Sequence, residues 1–307
     1  MPFRFAFVAL SLIVASTAAC AQPCSHHLLV SGYFSNNVAI YDACNGTFLR
    51  QLEQAGRIQG AQAVRWNPAD DLIYVVSEGN DQIQRYRRNA SYDFVDVFAQ
   101  LASNFDPTGI EFGLDDEVYV ASYGLSKVIE LDPVSGLETG VLLPSGSGLQ
   151  GADNGLMASV IGLVYVPGYD SSSVAMINPD NGQVQAQFVP PGTAGLFETR
   201  GIVDEGATIL VGGEGSGAIY RFNAISGAYV GTLVSGLSRP TGMALGVDGS
   251  LLVLTGNRVR RYDRSTGADL GVLANGVTGG ISGGTFVALV PITDFDPIYS
   301  DGFELPE

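Results

Sequence analysis

The chain has 307 residues, 46% of them hydrophobic and 15% charged, and is therefore long enough to bury a large core. Its formal net charge of −16 at pH 7 disfavours nucleic acids and anionic lipid surfaces as partners, because both are polyanions. The 40 glycines and 14 prolines are spread along the chain, which is typical of a fold with many tight turns.

Residues 1–21 predict export from a bacterial cell. Arg4 precedes a short apolar run that ends in small residues, the pattern of a secretory signal peptide. Cleavage after Ala21 would release a soluble periplasmic or secreted protein. Alternatively, the stretch STAAC resembles a lipobox, in which Cys20 would carry the lipid of an outer-membrane lipoprotein. No later segment reaches the roughly 20 apolar residues of a membrane-spanning helix.

Cys24 and Cys44 are predicted to form a disulfide. Once Cys20 is removed or lipidated, these two remain as an even pair in an oxidising compartment, where a disulfide forms and persists. Two free thiols are the alternative. Neither residue has the CxxC spacing of a metal site.

A unit of four short strands recurs along the chain. Each unit begins with an apolar segment that follows a small residue, and the starts lie about 40 to 47 residues apart. In most units a turn rich in Asp and Gly follows, and then a run of β-branched and aromatic residues such as LIYVV from Leu72. The segments that begin the units are AVRW at 63–66, GIEF at 109–112, GLMA at 155–158, GIVD at 201–204 and GMAL at 242–245.

The third strand of most units ends in a turn with Asp or Asn followed four residues later by Gly. Asx side chains bond their own backbone and Gly adopts positive φ, so the pattern predicts a hairpin and gives these acids a structural role instead of a calcium site. The second unit departs from the pattern, with RRNAS at 87–91. The pairs are Asp42 and Gly46, Asp132 and Gly136, Asn178 and Gly182, Asn223 and Gly227, and Asp263 and Gly267.

Four-stranded units of this length predict an all-β fold, a six-bladed β-propeller. Residues 27–52 supply three outer strands without an innermost one, and residues 284–289 supply an innermost strand without outer ones. Pairing of the two ends completes the sixth blade and closes the ring, which removes exposed sheet edges. The predicted domain spans residues 25–292, and residues 293–307 form a C-terminal tail to which no role is assigned.

Segments such as PTGI at 107–110, VYVA at 118–121 and VIELD at 128–132 resemble the NHL-type propellers and their relatives, the virginiamycin B lyases and the calcium-dependent gluconolactonase-type lactonases. The resemblance covers about residues 27–290 and implies the six-bladed fold. Its lyase and zinc-dependent members use channel histidines as bases or metal ligands. Only His26 and His27 occur in this chain, both outside any innermost strand, so the sequence disfavours a lyase mechanism.

The lactonase relatives imply a second chemistry, in which Ca²⁺ near the channel mouth polarises a carbonyl group. Glu, Asn and Asp supply the oxygen ligands in those relatives. The candidates in this chain do not occupy matching positions in their units, so a calcium-dependent hydrolase or lactonase is the alternative interpretation, and otherwise no cofactor is expected. These metal-ligand candidates are Glu111, Asp153, Asn154 and Glu198.

One face of the propeller is predicted to bind a ligand. The loops between blades share this face with the loops between each blade's second and third strands, and aromatic residues recur at the loop tips. Residues just before the innermost strands should ring the channel mouth. The predicted binding residues are Tyr33, Phe34, Tyr123 and Tyr169 in the loops and Gln62, Thr108, Asn154, Arg200 and Thr241 at the mouth. The alternative is that the tyrosines only pack over neighbouring loops.

These features favour an exported binding or scaffold module over an enzyme. Amphipathic aromatic side chains beside polar groups suit a protein, a peptide or a glycan as the partner. The chain has no nucleophile elbow, and its glycine-rich run at 212–217 lacks the helix that a phosphate-binding loop requires. Contact with a membrane is expected only through a lipid on Cys20.

Overall fold

The computed structural model describes residues 24–114 and 116–292. The predicted signal segment with Cys20, and the C-terminal tail from residue 293, lie outside the described residues. Within the described part of the chain, no helix is long and apolar enough to cross a membrane.

The strands form six four-stranded antiparallel sheets, each of them one blade of a propeller. From the innermost strand outwards, blade 1 consists of β24 (Gly284–Pro291), β1 (His26–Gly32), β2 (Asn37–Asp42) and β3 (Phe48–Gln51), and blade 2 of β4 (Ala61–Asn67), β5 (Leu72–Ser77), β6 (Gln82–Arg87) and β7 (Phe94–Gln100). Blade 3 consists of β8 (Pro107–Phe112), β9 (Val118–Ser122), β10 (Lys127–Leu131) and β11 (Glu138–Leu143), and blade 4 of β12 (Met157–Ala158), β13 (Val164–Gly168), β14 (Ser173–Asn178) and β15 (Gln183–Val189). Blade 5 consists of β16 (Thr199–Asp204), β17 (Thr208–Gly213), β18 (Ala218–Asn223) and β19 (Tyr229–Ser235), and blade 6 of β20 (Pro240–Leu245), β21 (Leu251–Thr255), β22 (Arg258–Tyr262) and β23 (Asp269–Asn275).

The core lies between adjacent blades. The second strand of a blade is covered on both faces, and for this reason all five residues of β9 are buried, four of them in the apolar run VYVA and the last of them Ser122. The outermost strand is covered on fewer sides: the first four residues of β11 are exposed or half-buried, and only its last two are buried. The strands with the most β-branched and aromatic residues therefore lie deepest in the structure.

The predicted closure of the ring is confirmed. β24 pairs antiparallel with β1, so that Leu28 faces Leu289 and Val30 faces Val287. β24 is thus the innermost strand of blade 1, whose other three strands come from the opposite end of the chain. The two ends of the domain are joined by a ladder of backbone hydrogen bonds, and neither is left as an open edge.

The Asp-to-Gly turns have the geometry that their sequence predicts. The Asp132 carboxylate accepts hydrogen bonds from the backbone N–H groups of Val134 at 3.1 Å and Ser135 at 2.7 Å. Gly136 has a φ of +69°, and a Cβ at this position would lie 2.0 Å from the carbonyl oxygen of Phe98 in the neighbouring blade. Glycine is therefore required both by the turn and by the close approach of the next blade.

The predicted disulfide between Cys24 and Cys44 is also confirmed, with a Cα–Cα distance of 5.7 Å. It ties the segment that precedes β1 to the turn between β2 and β3. The departure at residues 87–91 has its own structural role: the loop from β6 to β7 brings buried Tyr92 against His27, whose Nδ1 contacts the Tyr92 hydroxyl. This loop therefore packs on β1, the strand with which β24 pairs to close the ring.

Candidate functional site

A cavity of about 470 Å³ opens on the face that was predicted to bind a ligand. The antiparallel connections place the loops between blades and the loops between second and third strands on this face. Two concentric rings of side chains, one from each set of loops, form most of its wall.

The inner ring consists of residues at the start of the innermost strands or, in blade 4, in the turn just before that strand. Four of its cavity-lining residues are those that the sequence predicts; in blade 4 Asp153 lines the cavity in place of the predicted Asn154, and the sixth residue, Thr285, was missed although its strand was predicted. The repeat pattern could have identified Thr285, because it follows Gly284 at the start of its strand as Thr241 follows Pro240. In blade order, the inner ring is Thr285, Gln62, Thr108, Asp153 with Asn154, Arg200 and Thr241.

Blade 4 has one residue more than the other blades at this point. In each of the other blades a single residue lies between a residue with positive φ and the ring position that follows it. In blade 4 the residue with positive φ is Gly151, and two residues lie between it and Asn154. As a result Asp153 lines the cavity, and Asn154 lies beneath it with a fully buried side chain. Asn154 Nδ2 donates to Gln62 Oε1 and to the carbonyl of Thr285, both at 3.1 Å, and so forms a floor that joins blade 4 to blades 1 and 2.

The glycine after the ring position allows the innermost strands to approach each other closely. A Cβ at Gly155 would lie 1.9 Å from the carbonyl oxygen of Arg200, and one at Gly242 would lie 2.8 Å from the Cα of Phe286. Each of these glycines therefore faces the backbone of the next blade. The small residue at the start of each repeat unit reflects this contact.

The outer ring consists of the residue that follows the second strand of each blade. In blade order these residues are Tyr33, Glu78, Tyr123, Tyr169, Glu214 and Gly256, and all six line the cavity. Sequence reasoning found the three tyrosines and missed Glu78 and Glu214. The same offset from the strand end could have identified both, since it does not depend on residue type.

The ring residues are supported by a left-handed backbone position ahead of each innermost strand. The backbone N–H of Tyr123 donates to the carbonyl of Asp106 at 3.0 Å, and that of Glu214 donates to Glu198 at 2.8 Å. Positive φ favours glycine, which three blades use; the other three place a charged residue there despite a conformational cost of about 1 kcal/mol. The six positions are Gly60, Asp106, Gly151, Glu198, Arg239 and Gly283.

Arg200 is the central ion of the blade 5 side of the cavity. Its Nε donates to Asp153 Oδ2 at 2.8 Å and its Nη1 to Glu214 Oε2 at 2.9 Å, and its side chain is only 16% exposed. The guanidinium also lies over the Tyr169 ring, 5.3 Å from the centroid. Arg239 Nε donates to the other oxygen of Glu214 at 2.7 Å from the cavity rim, where its side chain is 75% exposed.

Glu78 is held differently on the blade 2 side. Gln62 Nε2 donates to its Oε2, and the Tyr33 hydroxyl lies 3.5 Å from its Oε1. Among the described residues it has no ion-pair partner, in contrast to Glu214. Burial raises the pKa of Glu78 above its usual range, and this effect outweighs the opposing hydrogen bond from Gln62.

The predicted aromatic residues contact each other in two pairs as well as lining the cavity. Tyr33 and Phe34 meet edge to face with centroids 5.3 Å apart, and Tyr123 and Tyr169 do so at 6.3 Å. The Tyr123 hydroxyl donates to Asp170 Oδ1 at 2.9 Å, and burial followed by this bond raises its pKa to about 12. Phe34 remains 75% exposed, so one aromatic side chain at the cavity stays open to solvent.

The four candidate calcium ligands lie in different surroundings. Glu111 is on β8, three residues beyond Thr108 or about 10 Å along the strand, and pairs with Arg65 at 2.9 Å. Asp153 is paired with Arg200, Asn154 lies in the floor, and Glu198 occupies a left-handed position beside the cavity. In residues 24–114 and 116–292, the one group of three His, Cys, Asp or Glu ligand atoms close enough for a metal ion is Cys24, Asp42 and Cys44, and its sulfurs form the disulfide.

No protein-family model and no curated protein sequence matches the chain. Solved structures do match it. A chain of a nidogen–laminin complex has a TM-score of 0.72 at 13% identity, with 86% of this chain and 98% of that chain covered. A catalytically inactive virginiamycin B lyase from Staphylococcus aureus with quinupristin has a TM-score of 0.61 at 10% identity and coverages of 88% and 94%. A putative gluconolactonase has a TM-score of 0.61 at 14% identity and coverages of 81% and 87%. These likenesses concern the fold, and the chain is a six-bladed β-propeller similar to these proteins in architecture.

Proposed function

We propose that this protein is an exported binding module that engages a protein, a peptide or a glycan through the cavity face. One observation carries the proposal: a cavity of about 470 Å³ is walled by an outer ring composed mainly of tyrosines and glutamates and by an inner ring of polar and charged side chains, with Phe34 exposed at its rim. The fold needs neither the aromatic loop tips nor the charged residues at left-handed positions. Rigid strands that present such loops are typical of binding surfaces.

The ionic groups on the blade 5 side favour binding over proton transfer. Arg200 and Arg239 together engage Asp153 and both oxygens of Glu214, so these carboxylates are held in closed pairs. Such pairs fix the loop positions and give the cavity a defined polar pattern. Specific recognition requires hydrogen-bond donors and acceptors at fixed positions next to apolar contact area.

The similar structures are compatible with either use of the fold. One was solved in a complex of nidogen with laminin, and others are named as a lyase and a putative gluconolactonase. The fold therefore does not choose between partner binding and catalysis. The composition of the cavity wall supports the choice of binding.

Export is the second part of the proposal. The Cys24–Cys44 disulfide indicates an oxidising compartment, as expected for a periplasmic or secreted protein. N-terminal sequencing and mass measurement of the mature protein would test it. A chain that begins at Gln22 would support soluble export, a lipid-modified Cys20 would support the lipoprotein form, and an uncleaved chain recovered only from the cytoplasm would refute export.

Binding can be tested with a panel of blocked peptides and oligosaccharides, titrated with and without Ca²⁺. Phe34→Ala should weaken the binding of every ligand that uses the cavity face. Val134→Ala is the matched control, because Val134 is 85% exposed in a turn on the opposite face. If Val134→Ala weakens binding and Phe34→Ala does not, the face has been assigned wrongly. Lactone hydrolysis that is lost on chelation of Ca²⁺ would favour the calcium-dependent lactonase instead.

A further inference from the structure

The two sides of the cavity repeat one arrangement with one difference. Blades 2 and 5 lie opposite each other in the ring, and both place a glutamate in the outer ring, Glu78 and Glu214 respectively. In each case a tyrosine occupies the same position in the preceding blade. The inner ring, however, holds Arg200 beside Glu214 and the neutral Gln62 beside Glu78.

On the blade 5 side the protein supplies its own cation. The Arg200 guanidinium bonds Glu214 at 2.9 Å and lies 5.3 Å from the centre of the Tyr169 ring. A carboxylate and an aromatic face together form a standard environment for a guanidinium ion. The arrangement on this side is therefore complete without a ligand.

On the blade 2 side the same environment has no cation from the described residues. Gln62 Oε1 accepts from Asn154 in the floor, so its amide is oriented with Nε2 towards Glu78 Oε2. The other carboxylate oxygen faces the Tyr33 hydroxyl at the weak distance of 3.5 Å. Glu78 is thus positioned by its neighbours and forms no ion pair with the described residues, and Arg200 acts on it only through its electrostatic field.

We propose that the Glu78 side of the cavity binds the guanidinium or ammonium group of a ligand, namely a basic side chain of a peptide or protein. This inference rests on the proposed binding function and specifies its ligand. The ligand cation would supply the charge that Arg200 supplies in the opposite blade, and it would lie at Glu78 Oε1, the oxygen that Gln62 does not engage. Tyr33 and Tyr123 stand in the blades on either side of Glu78, so aromatic residues flank the carboxylate.

Charge and composition of the cavity agree with a cationic ligand. Within the lining, Glu78, Asp153 and Glu214 face Arg200 and Arg239, which leaves one negative charge in excess. The whole chain carries a net charge of −16, which attracts basic partners over long range. A neutral glycan would leave the Glu78 carboxylate uncompensated, and a peptide with a basic side chain would compensate it.

The test uses the mature protein and two blocked tripeptides, glycine–arginine–glycine and the same peptide with citrulline. Citrulline has the shape of arginine without its charge. In calorimetric titrations at low salt, the arginine peptide should bind at least about tenfold more tightly than the citrulline peptide, because only it forms a charge-assisted pair. Glu78→Gln should remove this difference. Glu138→Gln, which removes the same charge from an exposed outer strand, should retain it.

A second variant tests the comparison of the two sides directly. Gln62→Arg would place a guanidinium beside Glu78, as Arg200 stands beside Glu214, and should abolish binding of the arginine peptide. Equal affinity for both peptides, or unchanged binding by Gln62→Arg, would overturn the inference. If the arginine peptide binds no more tightly than the citrulline peptide, while binding of an oligosaccharide or a neutral peptide is weakened by Phe34→Ala, the binding function stands and only the cation assignment fails. If no member of either set binds, both fail.

Discussion

Two arginines share Glu214, and their different burial gives them different energetic roles. Arg200 is almost enclosed and also neutralises Asp153, whereas Arg239 extends from the rim into solvent. Removal of one partner from a buried ion pair leaves an uncompensated charge, which costs far more than the loss of an exposed pair. The geometry of the pairs is similar, and only their exposure separates them.

We therefore expect Arg200→Ala to lower the free energy of unfolding by about 3–5 kcal/mol, since buried Asp153 loses its cation and buried Glu214 keeps only the exposed Arg239. Arg239→Ala should cost no more than about 1 kcal/mol. Urea denaturation of both variants would measure the difference. Equal stability of the two variants would show that Arg200 does not organise the cavity.

The ionised Glu78 carboxylate should lower the free energy of unfolding at neutral pH. Its pKa is raised mainly by burial, with the nearby Asp153 and Asp106 acting in the same direction and Gln62 and Arg200 opposing it. The folded protein then binds this proton more tightly than the unfolded chain does. Stability from this group is present below the ordinary glutamate pKa and is lost as the pH rises through the raised value.

Glu78→Gln should accordingly be more stable than the parent protein at pH 7. This difference in stability should disappear as the pH falls and the Glu78 carboxylate of the parent protein becomes protonated. Thermal unfolding from pH 4 to pH 8 would measure it. Glu138→Gln corrects for the loss of one negative charge. A gap that widens on acidification would contradict the assignment, because it would mean that the Glu78 carboxylate stabilises the folded state.

At the scale of the strand, the innermost strands are limited by how closely they approach each other. Gly155, in the turn that leads into the innermost strand β12, has no room for a Cβ, which would lie 1.9 Å from the carbonyl oxygen of Arg200, whereas Gly231 on the outer strand β19 has open space where a Cβ would lie. Neither glycine has a positive φ. A difference in stability between the alanine variants at these two positions therefore measures the room available for a Cβ and not a change in backbone conformation.

We expect Gly155→Ala to destabilise the protein by about 1–3 kcal/mol or more, because the clash involves backbone and forces the turn before β12 away from β16. Gly231→Ala should be neutral or slightly stabilising, since it only restricts the unfolded chain. Chemical denaturation of both variants would test this. A fully stable Gly155→Ala variant would require the channel to be wider than the strand positions indicate.

Strands and turns could be predicted because their signals are local. The Asp132 turn and strand β9 are each specified by a few consecutive residues. Asn154 could not be placed in the same way, because its position depends on one extra residue in blade 4 and on contacts with blades 1 and 2. The Arg200 pairs likewise join residues 14 and 47 positions away in sequence.

At the scale of the whole molecule, stability depends on one strand that joins the chain ends. β24 pairs along its length with β1 and places Phe286, Ala288 and Val290 in a core cluster shared with blades 2 and 3. Val287 lies in a second cluster, shared with blade 6. β24 therefore fills the space on both sides of blade 1.

A chain that ends before Gly283 should fail to unfold cooperatively. It loses the β24 ladder and several buried apolar side chains, each contributing about 1.5–3 kcal/mol, from a total stability that is typically only about 5–15 kcal/mol. It also loses the Thr285 carbonyl that holds Asn154, so the cavity floor should open together with the blade. Calorimetry and near-UV circular dichroism would measure both effects, with a chain that ends at Ile292 and retains β24 as the control. An unchanged melting temperature after removal of β24 would mean that five blades and an open sixth are sufficient, and the closed ring would no longer account for the stability of the fold.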